Sequence, residues 1–408
     1  MKYLAFILVL SLCSCHYDES TYGVCGNRYD MPMQPALSVI WKQKLGSELG
    51  SFTFNPYVWQ DKVAYSISSS GAQDTIVVRN SLTGETFFEY ATDNLGPNIA
   101  SRGAQVFLHE NLYVTQNDAI VKWNFITGVK ESYPTDPAYI NSGRLYYYDD
   151  YLYCTAKMGD VKSKLFRLNL STGIMQDLIQ LDIDNDLQPN IEISLLTTDQ
   201  NLDPIVIFQN QQNNILTSKG KVDLYAMRIE GKKLLWKIDN ITASGNSSIS
   251  PGLLRGNRFY FFGDNSFYCF DIRTGKKVWF YEFPTSAAGT LFNCKPIIVN
   301  NLLIVKADDN TIWAFDPDTG RIEWQNLKAG QSPSDLTFNE KRLYYTSAAD
   351  GLVYCHEIES GRVIWKYGVE EPKNTKQCFC INAVSIDRES GYLFVQDHYY
   401  LYCLQENF

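Results

Sequence analysis

Ten cysteines, four histidines and three aspartates at alternate positions are the residues of this 408-residue chain whose types could support redox, metal or acid–base chemistry. Their spacing argues against each. Asp182, Asp184 and Asp186 imitate the opening of a calcium loop, but Leu187 stands where the turn glycine belongs and Ile193 where the bidentate glutamate belongs. Zinc needs further ligands at matched spacing, and His16, His109, His356 and His398 supply none. There is no GxSxG elbow, HExxH helix or glycine loop that would cradle phosphate. The net charge of −9, with no compensating basic cluster, argues against nucleic acid as a partner. Neither cofactor, metal nor catalytic residue is expected.

The first residues speak to destination. Lys2 precedes an apolar run from Tyr3 to Leu12, long enough for a secretory signal and too short to span a bilayer. The run ends in LCSC, which resembles the lipobox of bacterial lipoproteins: Leu12 three places before Cys15, small Ser14 just before it, and Cys15 as the acylated residue. Residues 1–14 are therefore expected to be a signal peptide and 15–37 a polar tether, with a coil reach of about 25 Å. Asp18 and Glu19 resemble the signals that send some lipoproteins to the cell surface, and an ordinary solvated tether explains them equally well.

Export would normally point to disulfides. Cys269, Cys355 and Cys403, however, fall in a strand slot filled by Ala226 and Ala314 elsewhere, which reads as a small buried position; Cys154 sits in a similar strand. Cys25, Cys294, Cys378 and Cys380 are left as the cysteines that could pair.

The elements that would position these residues show themselves as a repeat. AFDPDTGRIEW (314–324) returns as CFDIRTGKKVW (269–279) and CHEIESGRVIW (355–365). Each phrase reads as a hairpin in which a strand ends, Gly320 or its counterpart takes a left-handed turn position, and the next strand carries a tryptophan at fixed offset. Weaker copies turn at Gly84, Gly128 and Gly173 after Asn80, Asn124 and Asn169, whose amides can bond within the turn. In AMRIEGKKLLW (226–236) the glycine comes one residue early, but Ala226 and Trp236 remain ten apart. Turn glycines thus recur at 84, 128, 173, 231, 275, 320 and 361, and each interval holds four short β-rich runs such as PIIV, LLIVKA, TIWAFD and RIEWQN. Four strands per 40 to 50 residues is the propeller period.

Seven turns imply eight blades. The C-terminus supplies only three further runs (381–387, 392–397, 401–404), while VIWKQKLG (39–46) near the N-terminus matches the tryptophan-bearing outer strand VIWKYG (363–368) without inner strands before it. The fold expected over residues 38–408 is an all-β, eight-bladed β-propeller of four-stranded antiparallel blades, its last blade closed by the N-terminal strand so that no sheet edge is left at the seam.

The AxDxxTGxxxW phrase resembles the tryptophan-docking repeat of the PQQ-like eight-bladed propellers, over essentially all of residues 39–408. It is specific in blades five to seven, moderate in blade four and degenerate in blades one to three, where Phe88 replaces the tryptophan and the next two copies lack an aromatic at that offset. The resemblance implies that Trp236, Trp279, Trp324 and Trp365 pack between blades, with Trp41 as the closing member and Gly275, Gly320 and Gly361 as turn glycines. Most of the 27 Tyr, 22 Phe and eight Trp are accordingly assigned to packing between sheets rather than to a sugar-binding surface.

Some relatives in that family are quinone-dependent dehydrogenases with a disulfide between neighbouring cysteines and calcium ligands, and this chain has no Cys-Cys pair. Relatives of this size and anchor are the propeller lipoproteins of the outer-membrane β-barrel assembly machinery. The resemblance implies a non-enzymatic, outer-membrane, lipid-anchored scaffold that binds an envelope protein through the interblade loops at 91–102, 181–190, 239–248, 284–294 and 368–378 and the long hairpin 209–221. A surface lipoprotein binding a glycan or other extracellular ligand is the alternative, and a quinoprotein dehydrogenase the remote one. The propeller is expected to sit on the periplasmic or the surface-exposed side.

Overall fold

The computed structural model describes residues 37–45, 55–67, 74–92, 105–116, 118–141, 144–184, 187–199, 202–214, 220–242, 251–263, 265–284, 294–307, 311–330, 334–347, 351–368, 382–397 and 399–407. The expected signal peptide, Cys15 and nearly all of the expected tether lie outside them, although the first strand already begins at Leu37.

Strands built from alternating apolar residues pair mostly with their chain neighbours into small antiparallel sheets, seven of four strands and one of five, and there are eight sheets. Blade six is representative: Ile297–Val299, Leu302–Lys306, Ile312–Phe315 and Ile322–Asn326, from the axis outward. In blade three the innermost position is shared by two short strands, Ile140–Asn141 and Tyr146–Tyr148, both paired with Tyr151–Met158. A single short 3-10 segment, Glu230–Lys232, is the one helical element among the described residues.

The eighth blade takes Ser385–Ile386, Leu393–Gln396 and Tyr400–Glu406 from the C-terminus and Leu37–Lys44 from the N-terminus. The termini pair antiparallel with Trp41 opposite Cys403 and Lys42 opposite Tyr402, and Leu45 N donates to Tyr399 O at 2.6 Å. Asn55 Oδ1 accepts from Ala383 N at 2.7 Å, tying the start of blade one to blade eight. The expected closure by both termini is what the sheet pairing shows.

The core lies between blades, because period-two alternation sends successive side chains of the inner strands to opposite neighbours. In blade seven, Leu343 and Tyr345 join Trp324 and Ile304 of blade six, whereas Tyr344, Cys355 and Trp365 join Val384, Val395 and Leu404 of blade eight. Sequential antiparallel strands also sort the connections. Turns from first to second and from third to outer strand share one face of the ring, the turn face, while second-to-third hairpins and interblade loops share the other, the loop face.

Candidate functional site

Cross-strand register explains how the repeat phrase positions its tryptophan. Ala226, Cys269, Ala314, Cys355 and Cys403 stand opposite Trp236, Trp279, Trp324, Trp365 and Trp41 in turn. A β-bulge in the ladder beside each pair turns the indole toward the following blade, and the small residue opposite leaves room for it. There the ring lies on a turn glycine: a Cβ on Gly84, Gly275, Gly320 or Gly361 would come within 2.8, 2.8, 2.7 or 2.3 Å of Trp41, Trp236, Trp279 or Trp324 respectively. Each indole Nε1 donates to the carbonyl three residues before that glycine, Trp41 to Ser81 at 3.0 Å, Trp236 to Ile272 at 2.7 Å, Trp279 to Pro317 at 3.0 Å and Trp324 to Ile358 at 2.9 Å. Glycine is required twice over at Gly361, for its φ of +66° and for the missing Cβ.

Junctions without a tryptophan are built differently. Phe88, opposite Val78, packs with Phe125 and Ile126 of blade two. Blade two has no bulge, so its register runs one residue out of step, and Tyr133 lies on Gly173, 3.4 Å from where a Cβ would be. Lys122 and Glu131 pair across these strands at 2.9 Å, and Tyr133 Oη donates to Glu131 at 2.8 Å. Between blades three and four, Arg167 Nη2 donates to Glu230 at 2.9 Å and Lys232 Nζ to Asp177 O at 2.9 Å. These partners escape a reading keyed to one fixed offset; the absent bulge shifts Tyr133 by a single residue.

Five described cysteines and His356 are packed in the core. Cys154, Cys269, Cys294, Cys355 and Cys403 are all buried, burial pushes the thiols of Cys269 and Cys403 up to about 12 and raises Cys355 too, and Cys294 Sγ donates to Ser334 O at 2.9 Å. Cys25, Cys378 and Cys380 lie outside the described residues. His356 bonds Gly361 O through Nδ1 at 3.0 Å and Tyr345 Oη through Nε2 at 2.8 Å. A carbonyl only accepts, so Nδ1 carries the proton and Nε2 receives the tyrosine hydroxyl. Burial lowers its pKa to about 4. Asp182 ends an outer strand and Asp184 pairs through its backbone with Leu187; Asp186 lies outside the described residues. Among those residues, no three His, Cys, Asp or Glu side chains converge as metal ligands. Among the described residues, that donor set offers no carboxylate cluster for a quinone–calcium centre.

Two surfaces remain. On the loop face, Gln188 pairs with Asn213 and Gln211 N donates to Asn190 O at 2.8 Å, so the loop 181–190 extends the sheet of blade four beside its long hairpin. The loops 91–102, 239–248, 284–294 and 368–378 fall largely outside the described residues. On the turn face, a cleft of about 400 Å³ between blades five and six is lined by Arg255, Gly256, Arg258, Arg273, Asp271 and Asp318.

Comparison with known proteins agrees with this architecture. Residues 218–403 match the family described as outer membrane protein assembly factor BamB. A tetrathionate hydrolase of Acidithiobacillus ferrooxidans is 21% identical over 183 residues, 38% of this chain and 35% of that protein, so the chain spans about a third of the curated relative it matches. BamB of Moraxella catarrhalis superposes with a TM-score of 0.56 at 12% identity, over 90% of this chain and 99% of that one. A europium-containing methanol dehydrogenase superposes at 0.63 and 12% identity, over 88% and 84%. At these identities the likenesses show the fold. By repeat and sheet order the chain is an eight-bladed propeller of PQQ-like repeats, and its residues 218–403 match the model described as outer membrane protein assembly factor BamB.

Proposed function

We propose that this protein is a non-enzymatic scaffold of the cell envelope, anchored to the outer membrane through Cys15 and binding a protein partner. The observation that carries the reading is the match of residues 218–403 to an assembly-factor family on a ring whose described thiols and His356 serve packing. A rigid ring with loops on one face suits recognition, and the raised sheet of blade four beside loop 181–190 offers it an ordered edge. Cross-linking in cells followed by affinity capture of the lipidated chain tests this: an envelope protein enriched over a Cys15→Ser control is expected, and the absence of any enriched partner would overturn it. Protease shaving of intact cells separates a periplasmic scaffold, which is protected, from a surface binder of glycans, which is degraded.

The likeness to methanol dehydrogenase and to a hydrolase favours an enzyme as the second reading. Quinone and calcium added to the protein would then give a bound chromophore and a raised melting temperature; the scaffold reading expects neither.

A further inference from the structure

Two of the eight blades carry the same four residues at their outgoing face. Blade seven has Arg342, Tyr344, Cys355 and Trp365, and blade five has Arg258, Tyr260, Cys269 and Trp279. The registers coincide, with Tyr344 and Tyr260 opposite the cysteines and the cysteines opposite the tryptophans. In blade seven this set holds a carboxylate: Glu406 accepts from Trp365 Nε1 at 2.8 Å, from Tyr344 Oη at 3.1 Å and from Arg342 Nη1. In blade five the tryptophan and the tyrosine both donate to Pro317 O, at 3.0 and 3.1 Å. The Arg258 side chain forms no ion pair or hydrogen bond with the described residues.

Arg258 lines the 400 Å³ cleft, with Arg255 and Arg273 beside it. The acids of the cleft are already engaged. Asp271 Oδ1 caps its own turn through Arg273 N and Thr274 N, both at 3.1 Å, and Thr274 Oγ1 at 3.0 Å, and its Oδ2 lies 3.4 Å from Arg273 Nη2. Asp318 lies 3.6 Å from Arg255 Nη1, whose Nη2 donates to Asn301 at 2.5 Å. Three guanidinium groups against two carboxylates leave one positive charge, and a guanidinium fork matches a carboxylate.

We propose that this cleft is a carboxylate-recognition site in which Arg258 takes an acidic side chain from a partner polypeptide, as its counterpart Arg342 takes Glu406 two junctions away. The polypeptide source of the carboxylate rests on the scaffold reading; the recognition chemistry rests on the cleft. Its volume admits a side chain with its flanking backbone, and the turn face leaves it open to solvent.

The test is titration of the full chain at low ionic strength with a labelled six-residue Gly-Glu peptide, its Gly-Gln counterpart and free malonate, read by fluorescence anisotropy and competition. Saturable binding of the Gly-Glu peptide, weakened about tenfold or more by Arg258→Gln and by added salt, with no binding of the Gly-Gln peptide, is the expected result. Equal binding by the Arg258→Gln chain, or no binding of the Gly-Glu peptide, would overturn the proposal. Malonate binding as tightly as the peptide would overturn its polypeptide source. Thermal melting checks that the variant folds; if it does not, Arg258→Lys, which keeps the charge and loses the fork, is expected to weaken binding in the same direction. The titration reads the cleft alone, so its failure and a failure of cross-linking in cells are separate results.

Discussion

Trp365 Nε1 donates to Glu406 Oε1 at 2.8 Å, and this bond replaces a turn that the topology cannot provide. Blade eight draws its third strand from the C-terminus and its outer strand from the N-terminus, so no hairpin joins them and no turn carbonyl faces blade seven. Glu406 lies three residues past Cys403, the offset at which Pro317 and Ile358 follow Ala314 and Cys355, and its carboxylate takes the missing carbonyl's place.

Glu406→Ala leaves Trp365, Tyr344 and Arg342 without this acceptor. Urea denaturation at neutral pH is expected to show a loss of about 3 kcal/mol, and Glu406→Gln, which keeps an oxygen acceptor, about a third of that. Equal effects from the two substitutions would mean that charge, rather than acceptance, holds the seam.

Turn glycines separate two contributions. Gly361→Ala places a Cβ 2.3 Å from Trp324 at φ +66°, whereas Gly391→Ala at φ +76° meets nothing within 4 Å. The second substitution should cost about 1 kcal/mol, the backbone preference alone, and the first clearly more. Paired thermal melts of the two variants measure the difference.

Trp324→Ala is expected to cost roughly 3 to 5 kcal/mol, from lost packing between blades six and seven and the orphaned Ile358 carbonyl. Trp324→Phe, which keeps most of the packing and removes only the donor, should recover a large part of that in the same chemical melts.

His356 gives the fold an acid-side weakness. Burial, aided by Lys366 and Lys306, holds its folded-state pKa at about 4 while the unfolded chain titrates near 6.5, so only the unfolded state takes up the proton between these values. The stability contributed by the neutral ring is complete above pH 6.5 and is lost as pH falls toward 4, by roughly 2 to 3 kcal/mol. Denaturation midpoints at pH 7.5 and 4.5 should differ less in His356→Gln than in the parent chain.

The repeat phrase made the blade count, the strand order and the seam legible, because each depends on short-range turn chemistry and on alternation within a strand. Junctions two to three and three to four were not legible, and at junction seven to eight the place of Trp365 was legible but its acceptor was not. Tyr133 is displaced by the absence of a bulge, Arg167 and Glu230 meet from segments 63 positions apart, and Glu406 acts through the spatial join of the two termini. The binding surface was least legible: the long loops show where recognition has room, while the carboxylate cleft appears only when blades five and seven are superposed by register.

Residues 37–45 test the central claim most directly, since a ring closed by its two ends should not tolerate losing one of them. Equilibrium unfolding of the chain lacking these residues is predicted to show loss of the cooperative transition, with the C-terminal strand edge at Tyr400–Glu406 left open. An unchanged, cooperative melt would contradict the closed ring and the scaffold built on it.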